Sequence, residues 1–412
     1  MKLVQLGIQE FHEFANTHKY NSFYQSQEYA RFMEDNGFEY DIMGIKDSFE
    51  NIRAASLILF KNIDNKYKFG YAPRGFLIDY DDRSLVNDFA KSLSKYYKHK
   101  HIIFIKINPN IYISKYNKNK NEYIYNDNVK YIDYLKKNKF QNLKKNKYFE
   151  SILPTFSPLV DLKRFTYKEL DKNVRNKISK CYRKGLSIDK VSLDSIEELY
   201  PLIKNKTKKS LTYYKNLYHA FEKNKQIDLF LIKVDFEEFL INTKDKYLKT
   251  QALNNTLVNK IIYDKSSKLL KQKLQSDREL ETLENDIVIA TQGLSENKTK
   301  VIAGAITIKY KNKVTIFVSG YDKKYRDLNS IDFLYYKLIE YYKYNYEFLD
   351  LDGFSGDVSE TNPFIGLNNF KMGFNPEVYE DIGEFDIIFK NSIYNKIASN
   401  GTLSKLFNNL KQ

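Results

Sequence analysis

A long stretch from Asp235 to Gln292 contains neither proline nor glycine, the two residues least compatible with a helix interior. Within it, apolar residues recur at spacings of three and four, which is the period of one helix face. The polar run 264–268 interrupts this pattern once. The apolar residues are Phe236, Phe239, Leu240, Tyr247, Leu248, Leu253, Leu257, Ile261 and Ile262 before the break, and Leu270, Leu274, Leu280, Leu283 and Ile287 after it. The pattern predicts a helical hairpin whose two apolar stripes close on each other, projecting as an arm.

On either side of this hairpin the chain alternates between strand-like and helix-like segments. The first half reads as helix, strands, helix and strand, and a similar order restarts at Pro158. This order predicts a mixed α/β fold, and a length of 412 residues favours two or three domains. The predicted domains are 1–155 and 156–395, the second interrupted by an arm at 236–295, followed by a helical tail at 396–412. Residues 112–148, rich in Lys, Asn and Tyr, are expected to form a mobile loop and a helix near 131–138.

Composition limits the kinds of site that the chain can carry. One cysteine, Cys181, excludes an internal disulfide and any site with several cysteine ligands, and the five histidines lack metal-ligand spacing. We therefore expect neither a metal nor a cofactor. The N-terminal run MKLVQLGIQEF is too short in apolar residues for a signal peptide, and no stretch of 18 apolar residues predicts a membrane span, so a cytoplasmic location is expected.

The net charge of +15 favours a polyanionic partner, such as nucleic acid, anionic lipid headgroups or a phosphorylated substrate. The alternative is a composition bias toward AT-rich codons, which also enriches Lys and Asn. Charge alone leaves both interpretations open.

The stretch from Phe348 to Phe385 reads FLDLDGFSGDVSETNPFIGLNNFKMGFNPEVYEDIGEF. It begins with the alternation of a strand, continues into a polar loop after Gly353, and reaches Lys371 after a short segment opened by Pro363. Such an order can bring a cation to the open end of a sheet. A lysine in a loop of this composition is more often a solvated surface residue, so the pattern by itself does not decide.

The full order of this stretch resembles the Fem family of peptidoglycan aminoacyltransferases. The runs Phe23-Tyr24-Gln25-Ser26, Tyr71-Ala72-Pro73-Arg74-Gly75 and Lys106-Ile107-Asn108-Pro109 also follow the family's order. The resemblance implies two GNAT-like (acyl-CoA N-acyltransferase-like) domains with an inserted antiparallel helical arm, as in the FemA/FemB branch. No R-x-x-G-x-G/A loop for coenzyme A is present, so acetyl-CoA is not the expected donor.

By this resemblance, the chain moves an amino acid from aminoacyl-tRNA to an amino group on the stem peptide of lipid II or a UDP-MurNAc-pentapeptide precursor. Lys371 is the implied catalytic residue, where a cation would stabilise charge in the transition state. The implied substrate-binding residues are Arg31, Arg74, Thr207, Lys209, Tyr213 and Phe370. Arg74 also has a structural interpretation, in which it holds its own loop.

Three positions depart from the family pattern. Lys209 replaces an arginine, which loses the planar two-pronged donor. Asn108 replaces an aspartate and cannot accept a proton at neutral pH, which leaves Asp350, Asp352 or the substrate itself to do so. Val318 replaces a tyrosine that contacts the precursor in the FemX branch.

Two other functions remain open at this point. One is an aminoacyl-tRNA-dependent transferase with a different amine acceptor, and the other is a non-catalytic module that binds tRNA or a protein partner. In Fem proteins a similar arm resembles the tRNA-gripping arm of seryl-tRNA synthetases. Charges on the arm of this chain are mixed, which weakens the interpretation that it grips tRNA. Peripheral contact with the inner membrane face fits the basic surface, and the sequence leaves a monomer and a homodimer equally open.

Overall fold

The computed structural model describes residues 1–143 and 147–411. Strands in the first half are β1 (Lys2–Gln5), β2 (Glu39–Lys46), β3 (Ile52–Asn62), β4 (Lys68–Ala72), β5 (Leu77–Ile78), β6 (Ile102–Ile107), β7 (Tyr112–Asn117), β8 (Glu122–Tyr125) and β9 (Phe140–Asn142). Helices in this half are α1 (Ile8–Thr17), α2 (Gln27–Asp35), α3 (Arg83–Tyr97) and α4 (Lys130–Lys137). The mixed α/β prediction is confirmed.

Strands in the second half are β10 (Phe156–Asp161), β11 (Leu186–Val191), β12 (Ile227–Asp235), β13 (Thr299–Tyr310), β14 (Lys313–Tyr321), β15 (Phe348–Asp350), β16 (Glu377–Asp381) and β17 (Phe385–Ile388). Helices are α5 (Lys172–Arg183), α6 (Ile196–Ile203), α7 (Leu211–Glu222), α8 (Phe236–Tyr263), α9 (Ser267–Glu296), α10 (Ser330–Tyr342), α11 (Ile365–Met372), α12 (Asn391–Ser399) and α13 (Thr402–Lys411). The predicted tail at 396–412 falls on α12 and α13, except for Gln412, which lies outside the described residues.

The strands form two sheets, and each sheet receives strands from the opposite half of the chain. The first has the order β1-β2-β3-β4-β6-β17-β9, with β5 beside β3, and the second has the order β11-β12-β13-β14-β15-β10-β16-β7-β8. Thus β7 and β8 pair into the second sheet, whereas β17 returns to the first. A boundary at residue 155 coincides with the start of β10 but does not separate the two sheets.

Buried charges accompany the return of β17. Lys106, next to the last residue of the fully buried β6, has no exposed surface. Its ammonium group lies 2.9 Å from the carboxylate of Asp386 on β17 and 3.4 Å from that of Glu384. Because a buried ammonium is costly without a counter-charge, the pairing of β6 with β17 supplies what Lys106 requires.

The prediction of a loop at 112–130 is wrong. Residues 112–117 and 122–125 are paired strands, and β7 also pairs with β16. The segment has few branched apolar residues because it lies at the edge of a sheet, where one face is solvated. The helix expected near 131–138 is present as α4.

Helices α8 and α9 form the hairpin, but their contact differs from the predicted one. Leu248, Leu253, Ile262, Leu270 and Leu274, all in the predicted stripes, are exposed. The buried positions of the two helices beyond the base include Thr243, Thr250, Asn254, Leu257, Ser276, Leu283 and Asp286. Small and polar side chains let the helices approach closely and bond across the contact. The amide of Asn254, for example, donates to the Ser276 hydroxyl at 3.2 Å and to the Asp277 carboxylate at 2.7 Å.

One of the hydrophobic clusters is built from residues of both halves. Phe11, Phe32 and Leu57 from the first half pack in the same cluster as Leu217 and Ile306 from the second. Helices α2 and α7 therefore meet at the junction, and the cavity described below opens beside them. Within the described ranges, no helix combines the length and apolar character that a membrane crossing requires.

Candidate functional site

Lys371 is buried at the C-terminal end of α11, with 4% of its surface exposed. Its ammonium group donates to the backbone carbonyl of Asp352 at 2.8 Å and to that of Gly353. Burial lowers the pKa of Lys371 to about 8, although Asp352 and Asp350 oppose this shift. Of the three ammonium protons, two are thus engaged by the turn that follows β15, and a third remains for another acceptor.

That turn holds Asp352 in an unusual conformation. Its backbone has φ of +62°, in the left-handed region that non-glycine residues seldom occupy. The Asp352 amide donates to the Asp350 carboxylate at 3.0 Å. Surrounding protein raises the pKa of Asp352, with Asp350 acting in the same direction and Lys371 against it. Asp352 is nevertheless an exposed residue, and it lines a cavity.

Side-chain hydrogen bonds within the polar loop between β15 and α11 hold the helix that carries Lys371 in place. The Asn368 side chain accepts from the Ser355 amide at 3.0 Å and donates to the Ser355 carbonyl at 2.9 Å. Asn362 accepts from the Phe364 amide at 2.8 Å, before α11 begins. The serine and asparagines of this stretch therefore satisfy the backbone of the loop, which fixes α11 relative to Asp352.

Asp352 lines a cavity of about 230 Å³ between the two halves. Its walls are mostly aromatic and apolar, and they combine residues of both sheets. The lining residues are Tyr24, Tyr29, Met33, Phe38, Leu59, Phe60, Lys61, Phe69, Tyr71, Ile152, Leu153, Pro154, Thr207, Lys209, Tyr213, Tyr214, Thr315, Phe317, Val318 and Asp352. The structure thus brings three of the predicted substrate-binding residues, Thr207, Lys209 and Tyr213, to the same cavity.

These three residues follow α6, which ends at Ile203. The Thr207 hydroxyl lies 2.7 Å from that of Tyr214, and the Tyr213 ring packs edge-on against Phe32 of the first half. The Lys209 ammonium lies 5.0 Å from the centre of the Tyr213 ring, within cation–π range. Burial lowers the pKa of Lys209, and the nearby Lys61 adds to that shift.

Arg74 is buried outside the cavity lining and is engaged by protein. Its guanidinium forms an ion pair with Asp381 and donates to the Pro154 carbonyl at 3.1 Å. Its backbone amide donates to the Asn108 side chain at 2.8 Å. These contacts favour the structural interpretation of Arg74, and they show that Asn108 supports the same loop.

Arg31 and Phe370 are also placed away from the cavity lining. Arg31 is exposed on α2. Phe370 packs against the core of the second half, with ring centres 5.0 Å from Tyr335 and 5.4 Å from Phe374. Its position beside Lys371 stabilises the end of α11, and its role in substrate binding stays a prediction.

Sequence reasoning missed Lys61 as a cavity residue, and it named Asp352 only as an alternative proton acceptor. Lys61 lies near the end of β3 with no motif around it, so no local signal marks it. The acidic alternation at the start of the 348–385 stretch was the available signal for Asp352. Among the described residues, no group of three or more His, Cys, Asp or Glu is arranged to hold a metal ion.

Comparison with known proteins agrees with this architecture. The profile described as "FemAB family" matches residues 6–399. The chain is 24% identical to "Aminoacyltransferase FemA" of Staphylococcus aureus (strain MRSA252), covering 93% of this chain and 94% of that protein. It is also 24% identical to "Aminoacyltransferase FemB" of Staphylococcus epidermidis (strain ATCC 12228 / FDA PCI 1200), with the same coverage of both.

A crystal structure of FemX has a similar fold, with a TM-score of 0.71 and 18% sequence identity. The alignment covers 96% of this chain and all of that one. Since the family profile spans nearly the whole chain, the chain belongs to the FemAB family of aminoacyltransferases.

Proposed function

We propose that the protein transfers an amino acid from aminoacyl-tRNA to an amino group on the stem peptide of lipid II, and thereby builds the interpeptide bridge of peptidoglycan. The observation that carries this proposal is the cavity between the two halves. There a carboxylate, Asp352, meets the residues Thr207, Lys209 and Tyr213, with the buried cation Lys371 directly behind Asp352.

The chemistry needs positioning more than a covalent intermediate. An aminoacyl ester is already activated, so an amine held in line with its carbonyl can attack directly. Negative charge then develops on the carbonyl oxygen, and a preorganised cation stabilises it. Lys371 supplies that cation in the proposal, through the ammonium proton that Asp352 and Gly353 leave free.

Lysines at the cavity give the site a cationic part. Lys61 from the first half and Lys209 from the second both line the cavity, and burial together with the charge of Lys61 lowers the pKa of Lys209. Two adjacent ammonium groups favour an anionic ligand. In the proposal they bind the diphosphate of the precursor, and the basic surface attracts tRNA. The protein would act in the cytoplasm, at the inner face of the membrane.

The test is a transfer assay with charged tRNA and lipid II that compares the parent with Lys371→Met. Lys184→Met is the control for loss of a buried ammonium elsewhere: Lys184 donates to the Asp327 carbonyl at 3.3 Å and pairs with Asp286 at 2.8 Å, and Arg183 keeps a contact with Asp286 when Lys184 is replaced. We expect Lys371→Met to lower turnover at least 100-fold while the control, if folded by circular dichroism, stays active. Unchanged turnover in Lys371→Met would remove Lys371 from the mechanism. Tight tRNA binding without transfer from any charged tRNA would instead indicate a binding module.

A further inference from the structure

We propose that Asp352 binds the ammonium group of the acceptor and takes its proton during transfer, an inference that rests on the proposed function. Among the described residues that line the cavity, Asp352 is the only one with a carboxylate. Asn108, which stands where the family resemblance suggested a carboxylate, is buried and bonded to the Arg74 amide, so it cannot fill this role.

The backbone around Asp352 is organised to aim its side chain. A left-handed conformation at a non-glycine residue persists only where neighbouring contacts hold it, and such residues concentrate at functional sites. Here the contacts are specific: the amide of Asp352 donates to Asp350, and its carbonyl accepts from Lys371. Both backbone groups are thus satisfied behind the residue, and the carboxylate is left facing the cavity.

The cavity walls suit an organic ammonium ion. Tyr24 and Tyr213 contribute aromatic faces, which attract cations and also exclude water. The cations that act most strongly on Asp352 are Lys371 and Arg74, which lie outside the lining, and not Lys61 or Lys209. The cavity therefore has a carboxylate part and a cationic part, and the carboxylate part favours a primary amine on a flexible chain.

Several titratable groups face Asp352 from the surrounding elements. These are Asp350 on β15, Lys371 on α11, Arg74 after β4, Tyr24 before α2 and Tyr335 on α10. The surrounding protein and Asp350 raise the pKa of the carboxyl group, whereas Lys371 and Arg74 oppose the rise. The net increase makes its carboxylate a better proton acceptor. The raised pKa of Asp352 supports the role of proton acceptor, which its position in the cavity already indicates.

The acceptor ammonium gives one proton to the Asp352 carboxylate, and the free amine attacks the ester carbonyl, forming the C–N bond. The C–O bond to the tRNA ribose then breaks, and the ribose oxygen takes a second proton from the same nitrogen. Asp352 returns to its carboxylate form by releasing its proton to water in the open cavity.

The test compares Asp352→Asn with the parent, using charged tRNA and lipid II at saturating donor. Asparagine tolerates the left-handed conformation, so the turn is kept while the carboxylate is lost. Glu360→Gln is the matched control, because Glu360 is an exposed carboxylate on the same loop outside the cavity. We expect kcat to fall about 100-fold in Asp352→Asn, with a higher KM for lipid II, and no change in the control.

The pH profile separates a chemical role from a structural one. Between pH 6 and 8 we expect the parent kcat to be nearly flat, because the bound ammonium passes its proton to Asp352 within the complex. In Asp352→Asn the rate should rise about tenfold per pH unit, since only the small free-amine fraction reacts. If Asp352→Asn is slower than the parent at every pH but has the same pH profile, the proposal is overturned. It is also overturned if Asp352→Asn keeps the parent's rate.

A binding measurement keeps this inference distinct from the proposed function. Nα-acetyl-lysine amide and its Nε-acetylated form are titrated against the parent and Asp352→Asn by NMR. Preference of the parent for the charged probe, lost in the variant, supports the ammonium site even if no charged tRNA supports transfer. Equal affinity of the parent for both probes overturns the ammonium site, even where transfer itself is observed.

Discussion

Arg74 and Asp381 form a buried ion pair that joins residues 307 positions apart in the chain. Arg74 follows β4 of the first sheet, and Asp381 ends β16 of the second. After Asp381 the chain crosses to the first sheet as β17. The pair therefore lies at the point where the halves exchange a strand, and it fixes the loop that carries Pro73 and Gly75.

Arg74→Met should lower the free energy of unfolding by about 3–5 kcal/mol, because it leaves the Asp381 carboxylate buried without its counter-charge. Urea denaturation measures the change. Arg164→Met is the control, since Arg164 pairs with Asp161 at the surface, where its side chain is 85% exposed. That variant should stay within about 0.5 kcal/mol of the parent. Equal losses in both variants would contradict the structural role of Arg74.

The loss in Arg74→Met should also depend on pH. Burial raises the pKa of Asp381 to about 6, although Arg74 opposes the rise. A folded pKa above the unfolded value means that the folded state binds more protons between about pH 4 and 6, so the contribution of Asp381 to stability falls as pH increases. Without Arg74 the pKa of Asp381 rises further, so the loss of unfolding free energy in Arg74→Met should be larger at pH 8 than at pH 5. A deficit independent of pH would contradict this.

The turnover of the parent should decline above pH 8, because the pKa of Lys371 is lowered to about 8 and its deprotonation removes the cation that stabilises the oxyanion. Lys371→Arg keeps its charge at every accessible pH. If this variant retains activity, its rate should show no such decline. The measurement is single-turnover transfer from pH 6 to 9, corrected for spontaneous ester hydrolysis. The same decline in both proteins would assign it to another group.

Lys61→Ala and Lys209→Ala should each raise the KM for lipid II about tenfold with little change in kcat, since both cations are proposed to bind the diphosphate and neither contacts the reacting atoms. The effect should shrink as KCl increases from 50 to 500 mM, because salt screens the attraction. Lys215→Ala, on α7 but outside the cavity lining and paired with Glu197, serves as the control. A fall in kcat without a change in KM would contradict the proposal.

Local sequence patterns predicted the helices and strands better than they predicted the contacts between them. The alternation at 348–352 and the loop before Lys371 are visible in the sequence, but the acceptance of the Lys371 protons by the Asp352 and Gly353 carbonyls is not. The sequence offered two roles for Arg74, binding a phosphate or carboxylate and, more often for an Arg between Pro and Gly, holding its own loop; its actual engagement depends on a carboxylate from β16. Contacts between residues hundreds of positions apart leave no periodicity, so the strand exchange and the Arg74 ion pair were both beyond local reasoning.

The arm differs from its sequence-based prediction, since several leucines that were expected to close the hairpin are exposed. Only its base enters the main core, through Phe236, Phe239 and Ala290. The two ends of the hairpin are joined by a hydrogen bond from the Phe236 amide to the Lys298 carbonyl at 2.9 Å. Replacing residues 246–283 by a short Gly/Ser turn should therefore leave the fold intact, with a Tm within about 5 °C of the parent by circular dichroism.

The same deletion tests whether the arm grips tRNA. Lys246, Lys249 and Lys273 form ion pairs within the hairpin, and the hairpin carries acidic as well as basic residues, so we expect it to attract phosphates only weakly. We expect the truncated protein to bind tRNA within about threefold of the parent at 150 mM KCl, measured by filter binding. A loss of tenfold or more, with the fold intact, would instead assign tRNA contacts to the exposed faces of α8 and α9, where Leu248, Leu253 and Leu270 lie open to solvent.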